Sequence, residues 1–365
     1  QFIDALGWTD VADDPVRFAP TGTDRAEYPP APLNKVTTQG IFTIRSLLTN
    51  YYDIMAIPRR SFFAHLAHFT TDEFQKDRLL EFTDPEYIDE LYDYTTRPRR
   101  SILEVMQEFE TVRVPWQRLA SVLPVMRGRQ FSIASGGDLK HGSHGEGKIE
   151  LLVAIVKYKT VIKRVRQGVC TRYIASLDSG QSLNVTLQKG GLNVSRNEAH
   201  LPVVMIGPGT GVAPMRSMIY ERLVWSEEAK ATVTETVNGN SGANNKDSDL
   251  LFYGCRNANA DFFFKEEWQA LGEKDILAVY AAFSRDQREK VYVQDLVRRE
   301  STKIYDALVR RGGLVYVCGS SGKMPQAVRE ALIEVFHKEG ALDREAAEAH
   351  LIAMEKAGRY KQETW

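Results

Sequence analysis

The sequence predicts an α/β plus β fold, in which an antiparallel barrel with a helical insertion is followed by a parallel sheet flanked by helices. Three observations predict it. Beyond Leu201, apolar runs alternate with segments of helical period, the pattern of a parallel sheet covered on both faces. From Gln130 to Leu187, short β-branched or aromatic stretches are separated by glycine-rich turns, which reads as antiparallel β and part of a small barrel. From Thr43 to about Leu123, the apolar residues recur at helical spacing instead.

Bulk properties narrow the function classes. At 365 residues the chain is long enough for two cores, on a prior of about 150 residues per domain. With 43% hydrophobic and 26% charged residues it has an ordinary globular composition, and a formal charge of −1 gives no electrostatic footprint for nucleic acid. No apolar run approaches the roughly 20 residues of a membrane span, and the amino terminus lacks the basic-then-apolar layout of a signal peptide. The expectation is a soluble cytoplasmic protein that partners neither nucleic acid nor membrane. Cys170, Cys255 and Cys318 are far apart with no CxxC spacing, so neither a disulfide framework nor a metal site is indicated. A first residue of Gln1 leads us to expect a fragment or a processed chain.

Residues 1 to about 40, rich in proline, aspartate and threonine around Tyr28 and Pro32, read as loop and linker. Helical spacing then appears in Ile44, Leu47, Leu48, Tyr51 and Tyr52, and in Phe62, Phe63, Leu66 and Phe69. Further helices are predicted over 72–80, 85–94 and 101–109, opened by Asp72, Asp84 and Arg100-Ser101, so that a wholly helical stretch precedes any strand. Two basic clusters in it, Arg59-Arg60 and Arg97 to Arg100, read either as solvated helix ends or as a docking face for an acidic partner. Antiparallel strands are predicted over 130–134, 148–158, 168–177 and 182–187. The parallel sheet takes 203–206, 250–253, 276–283 and 314–318, with helices to about Val224 and over 265–271, 293–299, 325–338 and 343–356. The polar run 232–248 is expected to be a mobile surface loop.

The motif that organises the chain is Gly207-Pro208-Gly209-Thr210-Gly211-Val212-Ala213-Pro214, directly after the apolar run 203–206. It reads as strand, turn and helix. Glycines at alternate positions let the backbone turn sharply and approach a ligand with no Cβ in the way, and the helix start behind them suits a pyrophosphate. A tight turn without ligand is the other reading, since the pattern is not GxGxxG. Arg129, Phe131 and Ser132 place a cation, a flat aromatic and a hydroxyl within four residues, which suits a flavin dinucleotide as well as a surface cation beside a core phenylalanine. Gly168, Val169, Cys170 and Thr171 read as a pyrophosphate-holding turn or as a plain one, with a helix start as the alternative to the strand over 168–177.

After the apolar strand 276–283 come Ser284, Arg285, Lys290, Tyr292 and Gln294, at a strand's carboxyl end, where ligands lie in open α/β sheets. Arg285 with Lys290 fits the 2′-phosphate of NADP, and Tyr292 fits adenine; no acid directly follows the strand, as an NAD site would want at the ribose. Cys255 and Cys318 each end a strand of the same sheet, either as small core residues or with one of them lining a nicotinamide pocket. The closing Gly358 to Trp365 reads as a frayed tail or as a lid that stacks on a ring.

Taken in order, Arg-x-Phe-Ser, Gly-Val-x-Thr, the glycine turn, Tyr-Gly-Cys-Arg, Ser-Arg-x-x-x-x-Lys-Val-Tyr-Val-Gln and a closing acid-x-Trp resemble the ferredoxin-NADP-reductase-like half of the diflavin reductases. Tyr52-Asp53-Ile54, Pro58 to Phe63, Arg97 to Val105 and Glu363-Thr364-Trp365 resemble the NADPH-dependent diflavin oxidoreductases of cytosolic iron–sulfur assembly more than cytochrome P450 reductase, from about Leu47 onward. The resemblance implies an FAD-binding domain over 1–200, with barrel about 125–200 and helical insertion about 43–123, and an NADPH-binding domain over 201–365.

It further implies that Arg129, Phe131 and Ser132 hold FAD, with Gly168, Val169, Cys170 and Thr171 at its pyrophosphate. Gly209, Thr210 and Gly211 would take the NADPH pyrophosphate, and Ser284, Arg285, Lys290, Tyr292 and Gln294 its 2′-phosphate and adenine. Ser132, Cys255 and Glu363 would surround the hydride path under Trp365, Glu363 standing where P450 reductases carry aspartate. The implied partners are an FMN-binding flavodoxin-like domain, whose FMN belongs to the full-length protein, and an anamorsin-type iron–sulfur protein. The chain carries no flavodoxin unit and no counterpart of the first barrel strands before residue 40, so those strands are expected to be missing. The other readings are a P450-reductase-type electron donor and, from another class, a docking module recruiting an acidic partner.

Overall fold

A computed structural model describes residues 1–17, 42–236 and 249–365. The centre of the expected linker, with Tyr28 and Pro32, and most of the expected polar loop lie outside the described residues. The first residues of that loop continue the helix Val212–Thr236, whose later turns are rich in Glu, Lys and Ala. The chain forms two compact units, residues 1–129 with 155–176, and residues 130–154 with 177–365.

The first unit is mainly helical. Helices Ile44–Asn50, Arg60–Ala67, Glu73–Glu81 and Ile102–Glu108 bury Leu47, Phe62, Phe63, Leu66, Leu79, Ile102 and Val105 in one core, completed by Phe82, Val112 and Leu119. Their starts are those the sequence predicts. The Asp72 carboxylate accepts the Gln75 N–H at 2.8 Å, and Ser101 and Glu104 cap each other's backbone in a reciprocal box. The predicted helix over 85–94 is instead a single turn at Pro85–Tyr87, the short helix Ile88–Leu91 and a wider turn at Tyr92–Thr96. Arg97 pairs with Asp93 at 3.2 Å, while Arg100 pairs with Glu108 and lies 4.1 Å from the Tyr94 ring centre, so both cations are engaged within the unit.

Antiparallel structure is sparser than the sequence predicts. Strand β1 (Pro15–Val16), which follows a short helix Phe2–Leu6, pairs with β2 (Phe42–Thr43) ahead of helix Ile44–Asn50, and β3 (Lys157–Lys159) pairs with β4 (Val165–Gln167). Residues 130–134 make one bridge, Ile133 with Leu151, and 182–187 are not strand. Residues 168–177, expected as strand, form the helix Val169–Ala175. The β-branched Val169 and Thr171 favour a strand locally, but the Thr171 hydroxyl accepts the Val156 N–H at 3.1 Å and fastens a helical turn to the chain ahead of β3.

The second unit holds a five-stranded parallel sheet in the order β7-β6-β5-β8-β9, with β5 Val203–Ile206, β6 Asp249–Cys255, β7 Leu277–Phe283, β8 Leu314–Gly319 and β9 Tyr360–Thr364. Period-two alternation divides β5 between two cores. Val204 and Ile206 join Phe252, Val297, Leu332 and Phe336 on one face, and Val203 and Met205 join Val212, Met215, Leu251 and Trp268 on the other. Helices therefore cover both faces, which is why the β5 run carries no polar residue. The predicted helices appear at Lys265–Glu273, Val293–Arg299, Met324–Gly340 and Arg344–Lys356. Behind the sheet, the buried Arg222 pairs with both oxygens of Asp249 at 2.9 and 3.1 Å, and Asp249 also accepts the Val203 N–H at 3.1 Å, joining the starts of β5 and β6.

The tail is neither frayed nor free. β9 pairs in parallel with β8 from Val315↔Tyr360 to Gly319↔Thr364, so the last residues form the sheet's edge. An edge strand is held by backbone bonds and tolerates polar side chains, which hides it from a search for apolar runs.

Candidate functional site

Strand order reverses between β5 and β8, and the carboxyl ends of all five strands meet the same edge, the position where open α/β sheets bind ligands. The glycine turn occupies that reversal. A Cβ on Gly207 would stand 2.7 Å from the Gly211 carbonyl oxygen, and one on Gly211 would stand 2.1 Å from the Cys318 carbonyl oxygen. Both are glycine because backbone packs on backbone. Gly209 differs: its φ is +58°, and a Cβ there would meet nothing within 4 Å. It presents bare backbone to open space, while Gly209–Gly211 leads straight into the 25-residue helix Val212–Thr236 with Pro214 in its first turn.

At the ends of β6 and β7, pairing runs to Cys255↔Phe283 and continues through the loops. The Ser284 N–H donates to the Cys255 carbonyl at 3.0 Å, and the Arg285 N–H to the Arg256 carbonyl at 2.9 Å. Arg285 and Lys290 are exposed, Tyr292 is 44% exposed, and Gln294 lies in the first turn of helix Val293–Arg299.

At the ends of β8 and β9, Cys318 pairs with Glu363 and Gly319 with Thr364. The Glu363 carboxylate accepts the Gly191 N–H at 2.9 Å. Trp365 is 50% exposed, and its backbone is anchored twice, by its own N–H to the Gly319 carbonyl at 3.1 Å and by the Ser321 N–H to its carbonyl at 2.9 Å.

The sequence grouping of Cys255 with Glu363 is not what the sheet brings together. They end strands three spacings apart, about 14 Å, whereas Cys318 stands beside Glu363. Burial pushes the Cys318 thiol up to about 12, helped by the Glu363 charge, and pushes Cys255 up to about 12, helped by Asp261 and Asp286. Both are neutral thiols at physiological pH. Phe131 and Ser132 are half-buried in the same unit, and among the described residues no hydrogen bond joins Ser132 to Cys255 or Glu363.

In the first unit, Arg129 is exposed, with its guanidinium on the Arg127 carbonyl, and Gly168 opens helix Val169–Ala175. Thr171 is buried with its hydroxyl already accepting the Val156 N–H, so it shapes the turn. Among the described residues no cluster of metal-ligating side chains occurs, and no helix is long and apolar enough to cross a membrane.

Two residues that sequence reasoning passed over stand out. Arg216, 4% exposed, interrupts the apolar run from Val212 to Ile219, an anomaly visible in the sequence. Asp286 follows Arg285 and binds the facing loop through Asn257 and Ala258, which sequence spacing could not reveal.

Comparison with known proteins agrees with this geometry. The family model for the FAD binding domain matches residues 1–173, and that for the oxidoreductase NAD-binding domain matches residues 205–330. Three relatives are each named NADPH-dependent diflavin oxidoreductase 1. That of Aspergillus fumigatus is 54% identical across all of this chain and 56% of its own length. That of Schizosaccharomyces pombe is 36% identical across all of this chain and 57% of its own length, and that of Danio rerio is 38% identical across 95% of this chain and 54% of its own. The chain spans about half the length of the curated relatives it matches. The chain therefore carries an FAD-binding and an NAD-binding oxidoreductase domain and is similar along its whole length to the diflavin oxidoreductases.

Proposed function

We propose that this chain is the FAD- and NADPH-binding half of a diflavin reductase, taking electrons from NADPH and passing them through an FMN-binding flavodoxin-like domain of the longer protein to an anamorsin-type iron–sulfur protein in cytosolic iron–sulfur cluster assembly. The observation that carries this reading is Gly209, bare backbone facing open space at the strand-order reversal with Arg285 and Lys290 at the same sheet edge. When bound, NADPH supplies a hydride and FAD converts that two-electron delivery into single-electron steps.

The protein's part is binding, orientation and exclusion. Gly209, Thr210 and Gly211 would take the NADPH pyrophosphate, Gly209 and Thr210 through backbone N–H groups and Gly211, whose N–H donates to the Pro208 carbonyl at 3.0 Å, by shaping the turn. Ser284, Arg285 and Lys290 would hold the 2′-phosphate, Arg285 offering a planar fork of donors and Lys290 a point charge. Tyr292 and Gln294 take the adenosine. Arg129, Phe131 and Ser132, with the turn Gly168 to Thr171, are assigned to FAD. The antiparallel barrel and the boundary near residue 200 belong to the same proposal.

Ser132, Glu363 and a cysteine are assigned to the hydride path. The pairing of Cys318 with Glu363 favours Cys318 over Cys255 as that cysteine. A neutral thiol can donate a weak hydrogen bond and can neither repel a hydride nor add to the ring. Trp365, half-exposed on an anchored backbone, would cover the flavin ring. Anaerobic titration of the flavin-loaded protein with NADPH tests the reading: the flavin absorbance should bleach stoichiometrically, and an unchanged spectrum would sink it. A pure docking module would be colourless.

A further inference from the structure

We propose that Asp286 is a positioning residue for nicotinamide-cofactor preference: it locks the loop that presents Arg285 while leaving the Arg285 guanidinium unneutralised. The inference rests on the assignment of Arg285 to the 2′-phosphate.

On charge alone, an aspartate next to a phosphate-binding arginine is misplaced, because its carboxylate would pair with the arginine or repel the phosphate. The geometry gives it another task. One oxygen, Oδ1, accepts a hydrogen from the Asn257 side-chain amide at 2.7 Å, and Oδ2 accepts the Ala258 N–H at 2.7 Å. An ionised carboxylate only accepts, so two donors from the loop after β6 turn it toward that loop.

The same two loops are zipped together one residue at a time. Strand pairing ends at Cys255↔Phe283. The Ser284 N–H then bonds to the Cys255 carbonyl at 3.0 Å and the Arg285 N–H to the Arg256 carbonyl at 2.9 Å. Asp286 supplies the next rung with its side chain. Arg285 sits between two fixed neighbours, with its backbone held and its side chain exposed.

The facing cation does not compete for this acid. Arg256 lies 3.7 Å from Asp261. Among the described residues no acid pairs with Arg285. Binding a dianionic phosphate needs such a charge in a fixed place, since ordering a long side chain and its loop at the moment of binding weakens the complex. Asp286 removes the loop's share of that cost without cancelling the charge.

Steady-state kinetics of the flavin-loaded protein with NADPH and NADH, using an artificial electron acceptor, test this. Asp286→Ala should raise KM for NADPH several-fold, with kcat retained and KM for NADH little changed. Asn257→Ala, which removes one of the two clasps and leaves the acid in place, should move KM for NADPH the same way by less. If Asp286 acted only through its negative charge, Asp286→Ala would lower KM for NADPH, and that result overturns the inference. Equal losses with both cofactors overturn it too. Arg285→Ala, run in parallel, separates the two levels. If it leaves the preference for NADPH intact, the 2′-phosphate assignment falls. If it abolishes the preference while Asp286→Ala does not affect it, only the role of Asp286 falls.

Discussion

Arg216 donates to both carboxylate oxygens of Glu267, at 2.8 and 2.9 Å, from a side chain almost wholly buried on helix Val212–Thr236. The same guanidinium reaches the Ala134 carbonyl at 2.9 Å and Glu150 at 2.6 Å, and lies 4.5 Å from the Phe264 ring centre. Phe264 holds a left-handed backbone at φ 61°, unusual for an aromatic residue, directly before helix Lys265–Glu273. One side chain thereby ties three things together: the helix that begins at the glycine turn, the segment carrying Phe131 and Ser132, and a strained helix start.

Arg216→Lys should therefore be far from conservative. An ammonium cannot make the paired bonds to Glu267 while reaching Ala134 and Glu150. Breaking a fully buried ion pair costs about 3–5 kcal/mol, and the partial exposure of both acids reduces that to roughly 2–3 kcal/mol here. Urea unfolding followed by tryptophan fluorescence should show a clearly lower midpoint for the second unit; an unchanged midpoint would make Arg216 dispensable.

Glu104 does comparable work in the first unit. Burial alone would raise its carboxyl, but hydrogen bonds from Arg166, from the Ser101 N–H and hydroxyl, and from Arg164 outweigh it and bring it down to about 2. A carboxylate depressed in the folded state contributes stability above its unfolded value near 4.5, and that contribution is lost as pH falls toward 2. Arg166 precedes Gly168 by two residues, so the pair holds β4 where it enters the proposed pyrophosphate turn. Glu104→Gln should cost about 1–2 kcal/mol and speed amide exchange in β3 and β4. Wild-type exchange rates in that hairpin would show the pairing to be idle.

What could be read in the sequence and what could not have different physical origins. β5 and the glycine turn were legible because burial on both faces and backbone-on-backbone packing each demand particular residue types at consecutive positions. The caps at Asp72, Asp84 and Ser101 were legible because capping is local. The partners of Arg216 were not, since they lie 51, 66 and 82 residues away along the chain. The neighbour of Glu363 has the same cause: which of two strand-end thiols meets it depends on the order of strands in the sheet, which no local pattern encodes. β9 was missed because Tyr360 to Thr364 is mostly polar, and 168–177 because β-branched residues sit there in a helix that a single threonine hydroxyl secures.

His350 supplies a pH test. Its ring packs edge-on against Phe336 at 4.8 Å between centres, and its Nε2 is buried without a hydrogen-bond partner among the described residues. Burial, with Arg359 adding to it, lowers its pKa from 6.5. The unfolded chain therefore binds the proton more readily, so stability should be constant above about pH 6.5 and fall below it until the folded ring is also protonated. His350→Leu should flatten that part of the stability profile between pH 5 and 7. An identical slope in the variant would place the proton uptake elsewhere.

Trp365 separates a ring from its anchor. Its backbone is fixed to Gly319 and Ser321, so the indole extends from an ordered strand end and its half-exposed face is available to cover a flat ligand. If the indole guards the flavin ring, nicotinamide must displace it, and NADPH does so with the help of its 2′-phosphate contacts while NADH lacks them. Trp365→Ala keeps both backbone bonds and removes the ring, so it should lower KM for NADH by tenfold or so, about 1.4 kcal/mol, while changing KM for NADPH less. Trp365→Phe keeps a flat ring and should retain most of the discrimination. Equal kinetics with NADH in the wild type and Trp365→Ala would mean that the indole is only the end of an edge strand.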